Sequence, residues 1–490
     1  MRRFTALDAA FPSEAALKLL NVRFSGRWML PKLQDARWIN APRELVEPML
    51  TLIVSPALTN FQLGLNVYDP LNALEVVPVF KALAPAYNSL VEIRICNPTI
   101  NDPQIIHATS ALLLGCNPDK LLYFHVDSTL SAAAFIYATQ LPSLKAFFMR
   151  ADPTELSKPL PASMFPSLRS LQIRVADVTG NHSPLTETIA RIRSDTFMHL
   201  DLEIPAVTVG TFLPPMLAAL RPRGLHQTLT SLSIAPKGDF NLDTATIQPL
   251  LFLNQLTFLD IQMLCGQDRC PYKLSDKNLE DLVRAMPKLS SLSLGAVPCS
   301  QPASTTMKSL VSIAKYCKHL EDLIIHTNIE AIVGGVFERE ARGEHPTPDA
   351  PIPTFTQCPL RNIIFGPCFI PRGQRGAMAF ALTLLRLFPR LVIVTTLLQT
   401  TDQTTEMGPQ WEMIDDIILT DRRMRANIVE AGKFTGLFPH KNFAHVLQPL
   451  VLVTTKQLFL DLPAPWTPSV FNLPSGLLRG FLRPVRANAQ

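Results

Sequence analysis

The chain has 490 residues and is short of charge and of glycine. Only 17% of its residues are Asp, Glu, Lys or Arg, and it holds 20 glycines. Few glycines means few tight phosphate-cradling turns, and neither G-x-G-x-x-G nor G-x-x-x-x-G-K-[ST] occurs. Dinucleotide-binding and P-loop chemistry are thereby excluded. G-x-S-x-G and H-E-x-x-H are missing as well, so the common hydrolase and zinc-protease plans have no nucleophile or ligand pair. No catalytic residue and no cofactor is expected.

Cysteine is sparse in the sense that matters. The eight cysteines are scattered with no C-x-x-C, and the closest pair is Cys265 and Cys270. That spacing makes no zinc ribbon, and scattered cysteines in a long chain read as small buried residues of a reducing compartment. Cys317, His319 and His326 come nearest to a metal cluster. The repeat pattern below sends them in different directions, with His326 outward, so no metal site is expected.

Long apolar runs are also wanting. The stretch from Met378 to Leu398 is interrupted by Arg386, Pro389 and Arg390, and the opening MRRFTALDAAF lacks the apolar centre of a signal peptide. The expectation is an intracellular protein, cytoplasmic or nuclear, with no transmembrane segment. The formal net charge of +5 is carried by residues 433–490, through Lys433, Lys441, Lys456, Arg479, Arg483 and Arg486 against Asp461. The remaining chain is neutral, which argues against specific nucleic-acid binding.

What the chain does have is leucine, 43 prolines and a recurring phrase, apolar-x-x-apolar-x-apolar. It reads LQDARW from Leu33, LTNFQL from Leu58, LVEIRI from Leu90, LLYFHV from Leu121, LKAFFM from Leu144 and LRSLQI from Leu168. It continues as FMHLDL from Phe197, LTSLSI from Leu229, LTFLDI from Leu256, LSSLSL from Leu289, LEDLII from Leu320, LRNIIF from Leu360 and LVIVTT from Leu391. The thirteen copies lie about 30 residues apart on average, a period typical of stacked repeats. Each phrase fits a short strand whose fourth and sixth residues enter a core while the third, fifth and seventh face out. The residues between phrases carry helical stripes. Leu279, Leu282, Val283 and Met286 follow a capping Ser275, and Pro287 stops the helix before Leu289.

Thirteen strands are too many for an open doubly wound sheet. The predicted fold is therefore an α/β solenoid, with a curved parallel sheet on its concave face and helices on its convex face. The expected organisation is an N-terminal cap or flank at 1–27, the solenoid at 28–410, a capping helix at 411–432 and a Pro-rich, basic, poorly ordered tail at 433–490. A protruding insert loop is expected at 337–355, where charges are followed by Pro346, Pro348, Pro351 and Pro353.

The strand openings LPKL, SPAL, LPSL, FPSL, MPKL and FPRL, with the unit SDKNLEDLVRAMPKL, resemble those of leucine-rich-repeat proteins. In particular, residues 28–430 are similar to the irregular F-box/leucine-rich-repeat proteins common in fungi. The resemblance implies a right-handed leucine-rich-repeat solenoid of about 13 irregular repeats. It also implies a non-catalytic scaffold that recruits substrates to a cullin–RING ubiquitin ligase. The regular Asn of such repeats is nearly absent, and no F-box is found. APRELVEPMLTLI, from Ala41, is the nearest string and reads as an ordinary repeat helix. A ligase adaptor would bind only if an F-box were supplied upstream. The alternative is a leucine-rich-repeat regulator of another enzyme, of GTPase-activating or inhibitor type.

The register names the outward residues that would meet a protein target on the concave face. They are Glu92 and Arg94; Tyr123, His125 and Asp127; Phe148 and Arg150; Gln172 and Arg174; His199, Asp201 and Glu203; and Phe258 and Asp260. Aromatic residues and Arg beside charges of both signs are the usual makings of interface anchors. Phe148 and Phe258 stand out as apolar residues expected to be wet.

Overall fold

The computed structural model describes residues 3–7, 13–24, 27–41, 43–65, 73–96, 102–151, 159–175, 183–205, 209–237, 241–264, 272–297, 303–328, 358–366, 374–396 and 404–435. Each leucine-anchored phrase becomes one strand. The strands are β1 (Arg3–Leu7), β2 (Asp35–Ala41), β3 (Asn60–Leu65), β4 (Glu92–Cys96), β5 (Tyr123–Thr129), β6 (Ala146–Ala151) and β7 (Ser170–Val175). They continue as β8 (His199–Pro205), β9 (Ser231–Lys237), β10 (Phe258–Leu264), β11 (Ser291–Val297), β12 (Asp322–Ile325), β13 (Asn362–Phe365) and β14 (Ile393–Thr396). They form one 14-stranded sheet in strict chain order, and every neighbouring pair is parallel. The protein is an α/β solenoid of the leucine-rich-repeat kind.

Fourteen strands replace the expected thirteen. The extra one is β1, which pairs with β2 from Arg3↔Asp35 to Leu7↔Ile39. Its phrase, MRRFTA, obeys the pattern with Met and Ala at the ends, and those weak residues hid it.

The helices are α1 (Glu14–Arg23), α2 (Arg43–Ile53), α3 (Ala73–Ala82), α4 (Pro103–Gly115), α5 (Ala132–Gln140) and α6 (Ser183–Ala190). Then come α7 (Val209–Ala219), α8 (Thr244–Ile247), α9 (Asp276–Ala285), α10 (Met307–Tyr316), α11 (Gln374–Leu387) and α12 (Thr404–Thr435). All thirteen phrase anchors, from Leu33 to Leu391, have no exposed surface. Beneath them lie the fourth and sixth residues, such as Phe61 and Leu63, Leu171 and Ile173, and Leu292 and Leu294. Burying a side chain of this size stabilises by about 1.5–3 kcal/mol, so each coil is held chiefly by its three inward residues. Between β6 and β7 the described residues 159–169 contain no helix. There Phe165 adopts φ 54, with its ring buried against Phe147 and Phe135.

The coils are also joined through their backbone. The carbonyl of Gln34, second residue of its phrase, accepts from Thr59 N at 2.9 Å and Asn60 N at 2.8 Å. The same double bond recurs at Thr59, Val91, Leu122, Lys145, Arg169, Met198, Thr230, Thr257, Ser290, Glu321 and Arg361. In several coils a hydroxyl joins in. Thr59, Thr230, Thr257 and Ser290 each donate Oγ to the carbonyl of the preceding coil, at 2.9–3.2 Å. These side chains tie coil to coil in a chain where the usual Asn is missing.

The chain divides into two compact units, 1–419 and 420–490. In the first, Trp411 of α12 packs against Phe365 and Phe380 at ring distances of 5.8 and 6.3 Å, and Ile414, Ile417 and Ile418 are buried. The helix runs beyond both expected limits of 411–432. The described part of the second unit is residues 420–435, where Arg425 pairs with Asp421 at 2.6 Å. The expected insert loop 337–355, and residues 436–490 of the expected tail, lie outside the described residues. Among the described residues no helix is long and apolar enough to cross a membrane. His326, read as outward, is fully buried, with its ring edge-on to Tyr272.

Ser275 caps α9 as the sequence suggests, reciprocally with Asn278. The next residue ties two coils. The Asp276 carboxylate accepts from Thr306 N and Thr306 Oγ1, both at 2.7 Å, and from Ser309 Oγ, at the start of α10. Asp276→Ala is expected to destabilise the fold by about 1–2 kcal/mol, the usual cost of a lost helix cap. The readout is the urea midpoint followed by circular dichroism, and an unchanged midpoint would refute the tie.

Candidate protein-interaction face

The strand face opposite the helices carries the residues predicted to meet a partner, and the observed register places them on adjoining strands. Arg94 pairs with His125, His125 with Phe148, Phe148 with Gln172 and Gln172 with Asp201. Ser233 of β9 then separates Asp201 from Asp260. One irregularity breaks the row. β5 bulges between His125 and Thr129, where four residues run opposite two of β6. Asp127 sits in this bulge and is 4% exposed.

The bulge gives Asp127 two partners. Arg150 of β6 donates Nε to its Oδ1 at 2.8 Å, and Arg174 of β7 donates Nη1 to its Oδ2 at 2.9 Å. Arg174 also reaches Glu203 of β8, at 2.5 Å. Four strands are thus joined by one alternating chain of charge. Its members are largely withdrawn from water, the Arg150 and Arg174 side chains being 12% and 14% exposed.

His125 stacks on Phe148 with ring centres 4.0 Å apart, and the Arg174 guanidinium lies over the same ring at 5.1 Å. Cys96 Sγ is 3.9 Å from His125 Nε2. Burial pushes the His125 pKa down to about 4. Asp127 opposes that shift, and Arg174 and Arg94 add to it. Asp201 moves the other way. Burial raises its pKa, against a hydrogen bond from Ser233 and the pull of Arg174.

These contacts change the roles of several predicted residues. Phe148, expected to be wet, is 2% exposed and belongs to the floor of the face. Asp127, Arg150, Arg174 and Glu203 satisfy one another, so they set the shape of the face more than they offer free charge. Asp260 is buried as well, at 6%. The residues that remain exposed are Arg94, His199 and Phe258, with Glu92, Tyr123, Gln172 and Asp201 half-buried. Arg94 holds Glu92 at 2.5 Å and keeps 47% of its side chain exposed, while Phe258 is 37% exposed. The sequence pattern did not reveal the bulge, because an insertion in one strand leaves the anchor of the next phrase in place.

Three outcomes follow. Asp127→Ala leaves two buried guanidinium groups without their shared carboxylate, and is expected to cost about 3 kcal/mol or more. Arg94→Ala, at an exposed pair, should change stability by no more than about 1 kcal/mol. Equal effects of the two in urea denaturation would contradict the buried relay. For His125, the folded state binds fewer protons than the unfolded chain between pH 6.5 and about 4. Its contribution is therefore complete above pH 6.5 and is lost as the pH falls toward 4, by an amount on the order of 3 kcal/mol. His125→Phe should flatten the unfolding midpoint over that range, and an unaltered slope would count against the burial.

No protein-family model matches the chain, and the search of curated proteins finds no match. Among solved structures, an internalin from Listeria monocytogenes is similar at 15% identity and a TM-score of 0.34, with 80% of this chain and 86% of that one covered. A fit this loose adds nothing to what the strand order already establishes.

Proposed function

We propose that the chain is a non-catalytic scaffold that recognises a protein through the strand face of β4–β10. The carrying observation is the charge chain Arg150–Asp127–Arg174–Glu203 with the His125–Phe148 stack beneath it. It fixes a floor across β5–β8 that carries half-buried Tyr123 and exposed His199, flanked by exposed Arg94 on β4 and Phe258 on β10. A pre-organised surface loses little conformational entropy on binding, and aromatic residues and Arg are the side chains that most often dominate such contacts.

A narrower role, delivery of that partner to a cullin–RING ubiquitin ligase, is supported only by the resemblance of the repeat phrases. Co-purification of the ligase adaptor with the intact chain tests it separately.

The face itself is tested by affinity capture with intact chain and with Arg94→Glu, Tyr123→Ala, His199→Ala, Phe258→Asp combined. All four positions avoid the buried relay, so the variant should keep its unfolding midpoint. Proteins captured by the native chain should be lost or weakened more than tenfold. A capture profile identical for both, with the fold intact, would remove this face from consideration.

A further inference from the structure

A second site lies away from the strand face, in the turns that lead into β9 and β10. Arg221, His226, Gln227, Phe252, Asn254 and Gln255 line a cavity of about 540 Å³, within the usual range for small-molecule sites. Gly224, at φ 70, adopts the left-handed conformation that leads the chain into the short turn Leu225–Gln227, on which His226 stands. The Arg221 guanidinium lies over Phe252 at 4.1 Å, and the His226 ring meets Phe252 edge-on at 5.6 Å.

Arg221 and three amide side chains, Gln227, Asn254 and Gln255, make up most of the polar lining of this cavity. Lys288 donates Nζ to Gln255 Oε1 at 2.5 Å, and Gln255 donates Nε2 to Asn254 Oδ1 at 3.1 Å. An ammonium group has no acceptor, so the direction of this chain is set by Lys288. Both amide oxygens are engaged, which leaves the Asn254 amide nitrogen as the free end. His226 Nδ1 is shut off from solvent with no hydrogen-bond partner. No carboxylate is among the lining residues. A cation and an amide donor beside a phenyl ring suit one kind of ligand, an acid group on a flat apolar body.

We propose that this cavity binds a small aromatic acid, a carboxylate or phosphate ester, gripped by Arg221 and Asn254 with its ring against Phe252. The site is independent of what the strand face binds. Isothermal titration of the full chain with phenyl phosphate and with benzoate tests it. The expected result is saturable 1:1 binding of at least one of them, with inorganic phosphate weaker because it leaves the Phe252 wall unused. Arg221→Ala should weaken binding about tenfold or more, the usual worth of a charged hydrogen bond. Asn254→Asp, which replaces a donor by a negative charge at an exposed position, should abolish it. A tyrosine-phosphorylated peptide carries the same group. Tighter binding than phenyl phosphate would identify a protein as its source, and equal or weaker binding a free molecule. Absence of saturable binding, indifference to Arg221→Ala in a folded variant, or equal binding of benzylamine would each overturn the proposal.

Discussion

One peptide carbonyl per coil, placed just before the strand, takes two N–H groups from the coil that follows. That double bond recurs from Gln34 to Arg361, and the rest of the architecture depends on it. It uses only main-chain atoms, so it makes no demand on the side chain at the position, which is Gln, Thr, Val, Leu, Lys, Arg, Met, Ser or Glu in different coils. The alignment of one strand with the next is settled there, and the inward leucines are carried into line with it. Because the spacing of the phrases does not enter the bond, coils of very different length stack without a break. This accounts for a regular sheet built from an irregular sequence.

The strand face inherits its properties from that alignment. Parallel register brings Asp127, Arg150, Arg174 and Glu203 into successive reach, and the bulge in β5 lowers Asp127 between the two arginines. The consequence is a division of labour within the predicted set. Some residues build the surface and others remain open to a partner, although all occupy equivalent positions in their phrases.

Much of this was legible in the sequence. The period-two phrases named twelve of the fourteen β-strands, LVIVTT at Leu391 being the weaker, and LQDARW, the most degenerate copy, proved to be β2. The outward positions fell on one face as the pattern required. Beyond the β5 bulge and the burial of His326, three things escaped the sequence for physical reasons. β1 was missed because Met and Ala carry little of the apolar signal. Phe148 was read as wet because exposure depends on neighbours from the adjoining strands, here His125 of β5 and Arg174 of β7, which no local pattern encodes. The cavity by Phe252 escaped because its residues come from two turns about thirty positions apart, and turns have no period to follow.

The shared carboxylate of Asp127 has a further bearing on how this surface can change over time. A substitution at any one of the four charged positions strands its partners in a poorly hydrated place, so it is harmful alone and tolerable only alongside a matching change on the next strand. Related chains should therefore alter these positions in concert, while Arg94, His199 and Phe258, which lack such obligations, are free to drift singly. Selection for new specificity would act first on the loosely held side chains and leave the tied ones as a block, inherited or replaced together.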